Sequence, residues 1–289
     1  MHSPEPVAVR VITHNIRYAT EHPFEGEEPW STRCSRLCAE LDFHSRSPAT
    51  TFICLQEVLH GQLLDILAAL NDSPGAPWAY IGVGRDDGSQ SGEYSPIFYR
   101  PSVWELEDYR TLWLSETPEK PSKGWDAACV RVVTAGTFRH REIHKKVVVM
   151  STHLDHEGSK ARAEGVKVIL RLVDEYQALL FSALPLPLLV AGDFNSTPED
   201  EAYKIMTGEE SPMVDVRELV PNEKKYGHPM SFTSFGEHNS NRSLIDFIFS
   251  YKTKALLCIA FGILENRFDD GVYLSDHRAV VADFMLPGH

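Results

Sequence analysis

Long apolar runs, paired cysteines and positive charge are all scarce in this chain, and each shortage excludes something. No apolar stretch approaches the roughly 20 residues needed to cross a bilayer, so no stable membrane association is expected. The opening MHSPEPVAVR has no charged segment followed by an apolar one and does not read as a secretory leader. A cytoplasmic or nuclear protein is therefore favoured, with secretion left open through prior removal of a leader. The five cysteines, Cys34, Cys38, Cys54, Cys129 and Cys258, are odd in number and form no CxxC. Cys54 and Cys129 lie in apolar, strand-like contexts, which reads as reduced buried thiols rather than a disulfide framework. Cys34 and Cys38 stand four apart on an expected helix, but no second ligand pair completes a zinc site. Lys and Arg total 28 against 41 Asp and Glu, a net charge of −13. That argues against gripping nucleic acid through a broad basic face. It does not exclude a nuclease, because bound divalent cations add local positive charge that a sequence count omits. With no repeat, low-complexity tract or linker, one domain over residues 1–289 is expected.

What is present is a succession of short apolar strands and amphipathic helices. Strands are expected at 7–13, 51–55, 80–83, 94–100, 103–114, 129–138, 146–152, 188–191, 244–250, 256–264 and 279–284. Helices are expected near 31–43, 61–70 and 159–183 and after the GDFNSTP turn, where Ser196 or Thr197 would cap and Pro198 would open the helix. GRDDGSQSGE (84–93) reads mostly as a solvated turn, and 207–243 as the loosest part of the chain.

The stretch LLVAGDFNSTP (188–198) carries the first chemical signal: an apolar strand stops at Gly192 and delivers Asp193 and Asn195, which share a face in extended geometry. A carboxylate and a carboxamide side by side suit a hard cation or a phosphate. Other apolar strands end the same way, in Asn15, Glu57, His153, and Asp276 with His277. Asp246 sits within LIDFIF, where an unpaired carboxylate would cost several kcal/mol and so requires a partner. Together these residues make a hard-metal site with histidines, the equipment for cleaving a phosphate ester.

The ordered motifs THNIR (13–17), LQEV (55–58), GEYSPIFYRP (92–101), STHLD (151–155), GDFNSTP (192–198), LIDFIF (244–249) and SDHRAVV (275–281) resemble those of the endonuclease/exonuclease/phosphatase superfamily of metal-dependent phosphoesterases. The resemblance implies an α/β four-layer sandwich, two mixed β-sheets packed face to face with helices on both outer sides. It implies Mg²⁺, with Mn²⁺ as a substitute, held by Glu57, Asn15 and Asp276, with Asp193 and Asn195 holding a second metal or the water and phosphate. His277 oriented by Asp246, and His153, would be the catalytic histidines; their division into acid and base stays open. Glu93, seven residues before Arg100 as in pancreatic-type deoxyribonucleases, would pair with His153. Arg17 and Arg162 are candidate phosphate contacts, Arg100 and Arg131 phosphate contacts or structural, and Phe232 and Phe235 candidate stacking residues or core. NIR, Glu93 and the two histidines favour a nuclease with DNA preferred over RNA as partner. The alternatives are an RNA 3′-exonuclease of deadenylase type, a phosphatase or phosphodiesterase on a small phosphorylated metabolite or lipid, and, least favoured, a non-catalytic binding module.

Overall fold

The computed structural model describes residues 5–72, 75–178, 185–237 and 241–287. Two mixed sheets form the centre. One has seven strands: β1 (Val7–Asn15), β2 (Phe52–Gln56), β3 (Ala79–Ile81), β4 (Ile97–Tyr99), β10 (Lys225–Gly227), β12 (Leu257–Ile263) and β13 (Val280–Leu286), in the order β10-β12-β13-β1-β2-β4-β3. The other has six: β5 (Trp104–Trp113), β6 (Val132–His140), β7 (Lys146–His153), β8 (Leu188–Asp193), β9 (Met213–Asp215) and β11 (Asp246–Tyr251), in the order β5-β6-β7-β8-β11-β9. The central strands are apolar on both faces, as strands covered on both sides must be; β2 and β8 are buried at every position.

The sheets pack on each other through Val11, Cys54, Ile97, Val149, Leu189 and Ile248, which belong to one continuous core. Helices α1 (Trp30–Ser45) and α2 (His60–Asp72) cover the outer face of the seven-stranded sheet, with Leu37, Leu41, Leu63 and Ile66 against Ile12, Ile53 and Phe98. Helices α3 (Ser159–Ala178) and α4 (Glu201–Thr207) cover the other outer face through Val166, Ile169 and Met206. This is the expected four-layer sandwich. The short α5 (Val216–Leu219) follows β9 directly.

The expected elements appear with shifted ends. The 159–183 helix is seen to Ala178, and its expected last residues lie outside the described ones. Helix α4 opens at Glu201 after Asp200 rather than at Pro198, because the Asp200 carboxylate accepts from Thr197 N–H at 2.7 Å and holds a turn there. The segment 207–243, expected loose, carries β9, α5 and β10. All five cysteines are free thiols, with Cys34 and Cys38 Sγ atoms 3.9 Å apart.

Candidate active site

The central strands of both sheets end at one rim of the sandwich, and their register sets the site. In the parallel β7–β8 pair His153 lies opposite Asp193; in the antiparallel β8–β11 pair Asp246 also lies opposite Asp193. In the other sheet Asn15 lies opposite Gln56, the residue before Glu57. Gly192 lets β7 and β8 approach at this point: a Cβ there would stand 2.0 Å from the Thr152 carbonyl oxygen. Three residues past strand ends, Arg17, Glu57 and Asn195, have left-handed φ values of 58°, 59° and 43°. Non-glycine residues adopt this region at a cost of roughly 1–2 kcal/mol, and here it turns the chain sharply after each strand.

Carboxylates crowd one side of the rim. The Asn15 amide donates to Glu57 Oε1 and to Asp193 Oδ2, both at 3.0 Å, and its Oδ1 accepts from Arg17 N–H at 3.0 Å. Tyr18 N–H donates to Glu57 Oε2 at 3.2 Å. Ser275 Oγ donates to the Asn15 carbonyl at 2.6 Å and so ties β1 to the loop carrying Asp276 and His277. Burial, then the charge of Asp246, pushes the Asp193 carboxyl up to about 7. Burial likewise raises Asp276, with Glu57 adding to it. Acids pushed up by burial, with neighbouring like charges adding to it, mark a place that a cation would relieve. Glu57, Asp193 and Asp276 offer only hard oxygen donors, which fit Mg²⁺ or Mn²⁺, while Asn15 turns its amide Nδ2 toward two of them and its Oδ1 toward Arg17 N–H. Asp193, Asp246 and His277 also bring ligand atoms within 4.8 Å of one another, but the His277–Asp246 hydrogen bond already occupies that pair.

The two histidines are set in opposite states. His277 Nδ1 meets Asp246 Oδ2 at 2.8 Å, and its Nε2 lies 3.7 Å from Asp193 Oδ2. Burial opposes its charge, but Asp246 and Asp193 outweigh burial and hold the imidazole well above the usual histidine range. His153 is held well below that range by burial and by the Arg131 guanidinium. Arg131 Nη1 lies 2.8 Å from His153 Nδ1. A guanidinium only donates, so Nδ1 accepts and the ring hydrogen sits on Nε2, 3.4 Å from Asp193 Oδ2. Asn195 Nδ2 approaches the same Nε2 to 3.0 Å while donating to the Leu154 carbonyl.

The rim encloses a cavity of about 540 Å³ that brings together most of the expected residues: Arg17, Glu57, Glu93, Arg131, His153, Asp193, Asn195, Phe232, Asp276 and His277 line it. Phe232 stands edge-on to the His277 ring at 5.0 Å between centroids. Three expectations are corrected. Glu93 does not hydrogen-bond His153: its Oε2 is 3.9 Å from Nδ1, because Arg131 holds that nitrogen, and Glu93 pairs instead with Arg85 at 2.6 Å. Phe235 is buried core, edge-on to Tyr273. Arg162, in the first turn of α3, donates to the Asp155 carbonyl at 3.0 Å and is not part of the cavity lining. Arg100 proves structural, donating to the Ser45 and Ala49 carbonyls and covering Trp78.

Several lining residues were not singled out from sequence: Tyr18, Phe24, Arg85, Cys129 and His156. Arg17 lies over the Tyr18 and Phe24 rings at 4.3 and 4.7 Å while pairing with the buried Glu27 at 3.2 Å, which fixes an aromatic lip at the cavity mouth. Asp155 accepts four backbone N–H groups, from Ala128, Cys129, Glu157 and Gly158, and braces the loop that leads to Arg131. Asn266 donates to the Ser275 and His277 carbonyls at 2.8 and 3.2 Å, fixing the segment that carries the histidine.

Comparison with known proteins places this arrangement. A solved structure of an endonuclease/exonuclease/phosphatase from Bacteroides vulgatus is 33% identical and superposes with a TM-score of 0.83, covering 97% of this chain and 99% of that one. A mannosyl-6-phosphatase from Bacteroides thetaiotaomicron is 28% identical with a TM-score of 0.82, covering 96% and 99%. Among curated sequences, Nocturnin of Drosophila melanogaster is 27% identical over 270 residues, or 81% of this chain; the chain spans only 39% of that protein's length. Residues 12–277 match the model of the Endonuclease/Exonuclease/phosphatase family, and the chain belongs to that family of phosphoester hydrolases.

Proposed function

We propose that this protein hydrolyses the phosphate ester of a nucleic-acid or nucleotide substrate, with a divalent cation held by Glu57, Asp193 and Asp276 and with Asn15 bridging Glu57 and Asp193 through its amide. The observation that carries the reading is the pair of histidines on either side of Asp193, His277 bonded to Asp246 at 2.8 Å and His153 to Arg131 at 2.8 Å. When bound, the cation would polarise the phosphoryl group and favour ionisation of the attacking water. His153 Nε2–H and the Asn195 amide meet at 3.0 Å as two donors, a contact that a shared phosphate oxygen would relieve. His277, kept charged by Asp246, is poised to stabilise negative charge on phosphorus oxygens or to protonate the leaving oxygen. Phe232 and the Tyr18–Phe24 lip offer apolar surface for a ring next to the phosphate, worth roughly 1–3 kcal/mol per stacked base. The DNA preference drew in part on a Glu93–His153 pair that the fold does not form, so the proposal covers DNA and RNA alike.

A second reading is hydrolysis of a small phosphorylated sugar. It is favoured by the likeness to a structure named as a mannosyl-6-phosphatase. One panel separates them: phosphate release and strand shortening on single-stranded DNA, poly(A) RNA, nucleoside monophosphates and hexose phosphates, with Mg²⁺ and with EDTA. Turnover confined to the hexose phosphates would replace the first reading with the second.

A further inference from the structure

The cavity wall opposite the carboxylates is built from Arg85, Glu93 and Arg131, and the phosphoryl chemistry just described leaves Arg85 without a task. Arg85 Nη1 donates to Glu93 Oε2 at 2.6 Å, and Arg131 Nη1 lies 3.7 Å from the same oxygen. The side chains of Arg85 and Arg131 are 12% and 6% exposed, and each has a buried Nε–H with no acceptor among the described residues. Asp155, the other carboxylate near Arg131, is 3.7 Å from its Nε and already accepts four backbone N–H groups. Arg85 Nε also lies 3.9 Å from Oδ1 of the half-exposed Asp86, which is outside the cavity lining, so Glu93 is the carboxylate of the lining that the two guanidiniums share. Both arginines line the cavity, where an incoming anion would add an acceptor to the carboxylate they share.

The position of this wall matters as much as its charge. Arg131 touches His153 Nδ1, and His153 Nε2 is 3.4 Å from Asp193, so one imidazole ring separates the arginine wall from the carboxylate side. A phosphate seated between them meets three anion-receiving stations: the cation-binding carboxylate side, the His277 imidazole, and Arg85 with Arg131. A phosphodiester has two free oxygens and one negative charge. A phosphomonoester has three free oxygens and up to two charges, and only it can engage all three stations.

We propose that Arg85, assisted by Arg131 and counterbalanced by Glu93, selects a terminal phosphate, so that the preferred substrates are phosphomonoesters rather than internal phosphodiesters. The inference rests on the proposed phosphoester hydrolysis and narrows its substrate class. The monoester has two sources, a nucleotide or nucleic-acid end and a phosphorylated sugar, which share the chemistry that the wall reads.

The test compares p-nitrophenyl phosphate with bis(p-nitrophenyl) phosphate, which share a leaving group, in the wild type, Arg85→Gln and Glu93→Gln. The ratio of kcat/KM for monoester over diester is expected to fall by about ten- to a hundredfold in Arg85→Gln, the scale of one charge-assisted hydrogen bond. Inorganic phosphate binding, followed by calorimetry, is expected to weaken in Arg85→Gln and to tighten in Glu93→Gln, which removes the internal competing anion. That opposite pair of signs cannot come from general damage to the fold. A nucleoside 3′- or 5′-monophosphate and a hexose phosphate then identify the source. An unchanged monoester-to-diester ratio in Arg85→Gln, or phosphate binding indifferent to both substitutions, would overturn the inference. If the wild type turns over neither aryl ester nor any substrate of the nucleic-acid, nucleotide and sugar panel, the proposed function fails, while the phosphate-binding signs still decide the role of the wall.

Discussion

Replacing Asp246 by Asn keeps the size of the side chain and removes the charge that holds His277 as a cation. The Asp246 and His277 side chains are 0% and 5% exposed, their hydrogen bond is 2.8 Å long, and Asp246 Oδ1 has no other partner among the described residues. A buried charge-assisted hydrogen bond contributes about 1.5–3 kcal/mol, which on a barrier corresponds to roughly ten- to 150-fold in rate. An Asn amide also offers N–H to Nδ1, which would move the ring hydrogen to Nε2 and leave His277 neutral. Asp246→Asn is therefore expected to lower kcat by about a hundredfold, within the span seen for positioned acids and bases. The assay is phosphate release between pH 5 and 9. Where activity needs cationic His277, the rate falls as pH rises through its pKa. Asp246 raises that pKa, so the alkaline limb of the mutant should move to lower pH. The same pair should show in stability with metal removed by EDTA. Its contribution is fully present below the ordinary histidine value of 6.5 and is lost as pH rises through the raised folded value, so the gap in Tm between wild type and mutant should close on the alkaline side. A mutant within about threefold of wild-type rate and with an unmoved pH profile would refute the assignment of His277.

Three further outcomes follow from other parts of the structure. Glu40 on α1 is buried 3.5 Å from His14, and burial pushes its carboxyl up to about 8, while His14 is lowered to about 4. Between pH 6.5 and 8 the unfolded chain has already released the Glu40 proton and the folded one has not, so stability should fall by roughly 2 kcal/mol over that span. Glu40→Gln should flatten this slope in urea titrations, and an unchanged slope would exclude Glu40 as its source. Gly192→Ala forces a Cβ against the Thr152 carbonyl and should cost at least about 2 kcal/mol by thermal melting, together with activity, because β7 and β8 carry His153 and Asp193; a wild-type melting curve would count against that contact. Phe235→Ala should cost about 3–5 kcal/mol of stability, whereas Phe232→Ala should mainly raise KM. Equal losses of stability in the two would show that Phe232 is core as well.

The parts of this molecule that were legible in the sequence are those in which structure and chemistry meet within a few residues. Asn15, Glu57, His153, Asp193 and His277 each follow or precede an apolar strand, which periodicity shows; that these strand ends share one rim is what the family resemblance implies. Asp246 in LIDFIF announced that it needed a partner, and His277 is that partner. Contacts fixed only by tertiary packing were not legible. Arg85 lies in a polar, glycine-rich loop indistinguishable from a solvated turn, and it is the fold of that loop against Glu93 and Trp113 that buries it. Glu93 was assigned to His153 by its spacing to Arg100, but spacing cannot show that Arg131, 22 residues before His153 in sequence, reaches the imidazole first. Phe232 and Phe235 look alike in SFTSF, and only the placement of Tyr273 sends the second into the core. Buried polar braces such as Asn266 and the His14–Glu40 pair carry no local pattern, since their partners lie far away in the chain.

The central claim is that a divalent cation on the carboxylate side and the two histidines across Asp193 form one phosphoester-hydrolysing site. The measurement that reaches it most directly is phosphate release from p-nitrophenyl phosphate and from a 5′-phosphorylated oligonucleotide. Each would be run with Mg²⁺, with Mn²⁺ and with EDTA, for the wild type and Glu57→Gln. The account predicts turnover that EDTA abolishes, that added Mg²⁺ or Mn²⁺ restores, and that Glu57→Gln lowers by at least about a hundredfold. Turnover that survives EDTA, or that Glu57→Gln leaves near the wild-type rate, would contradict it.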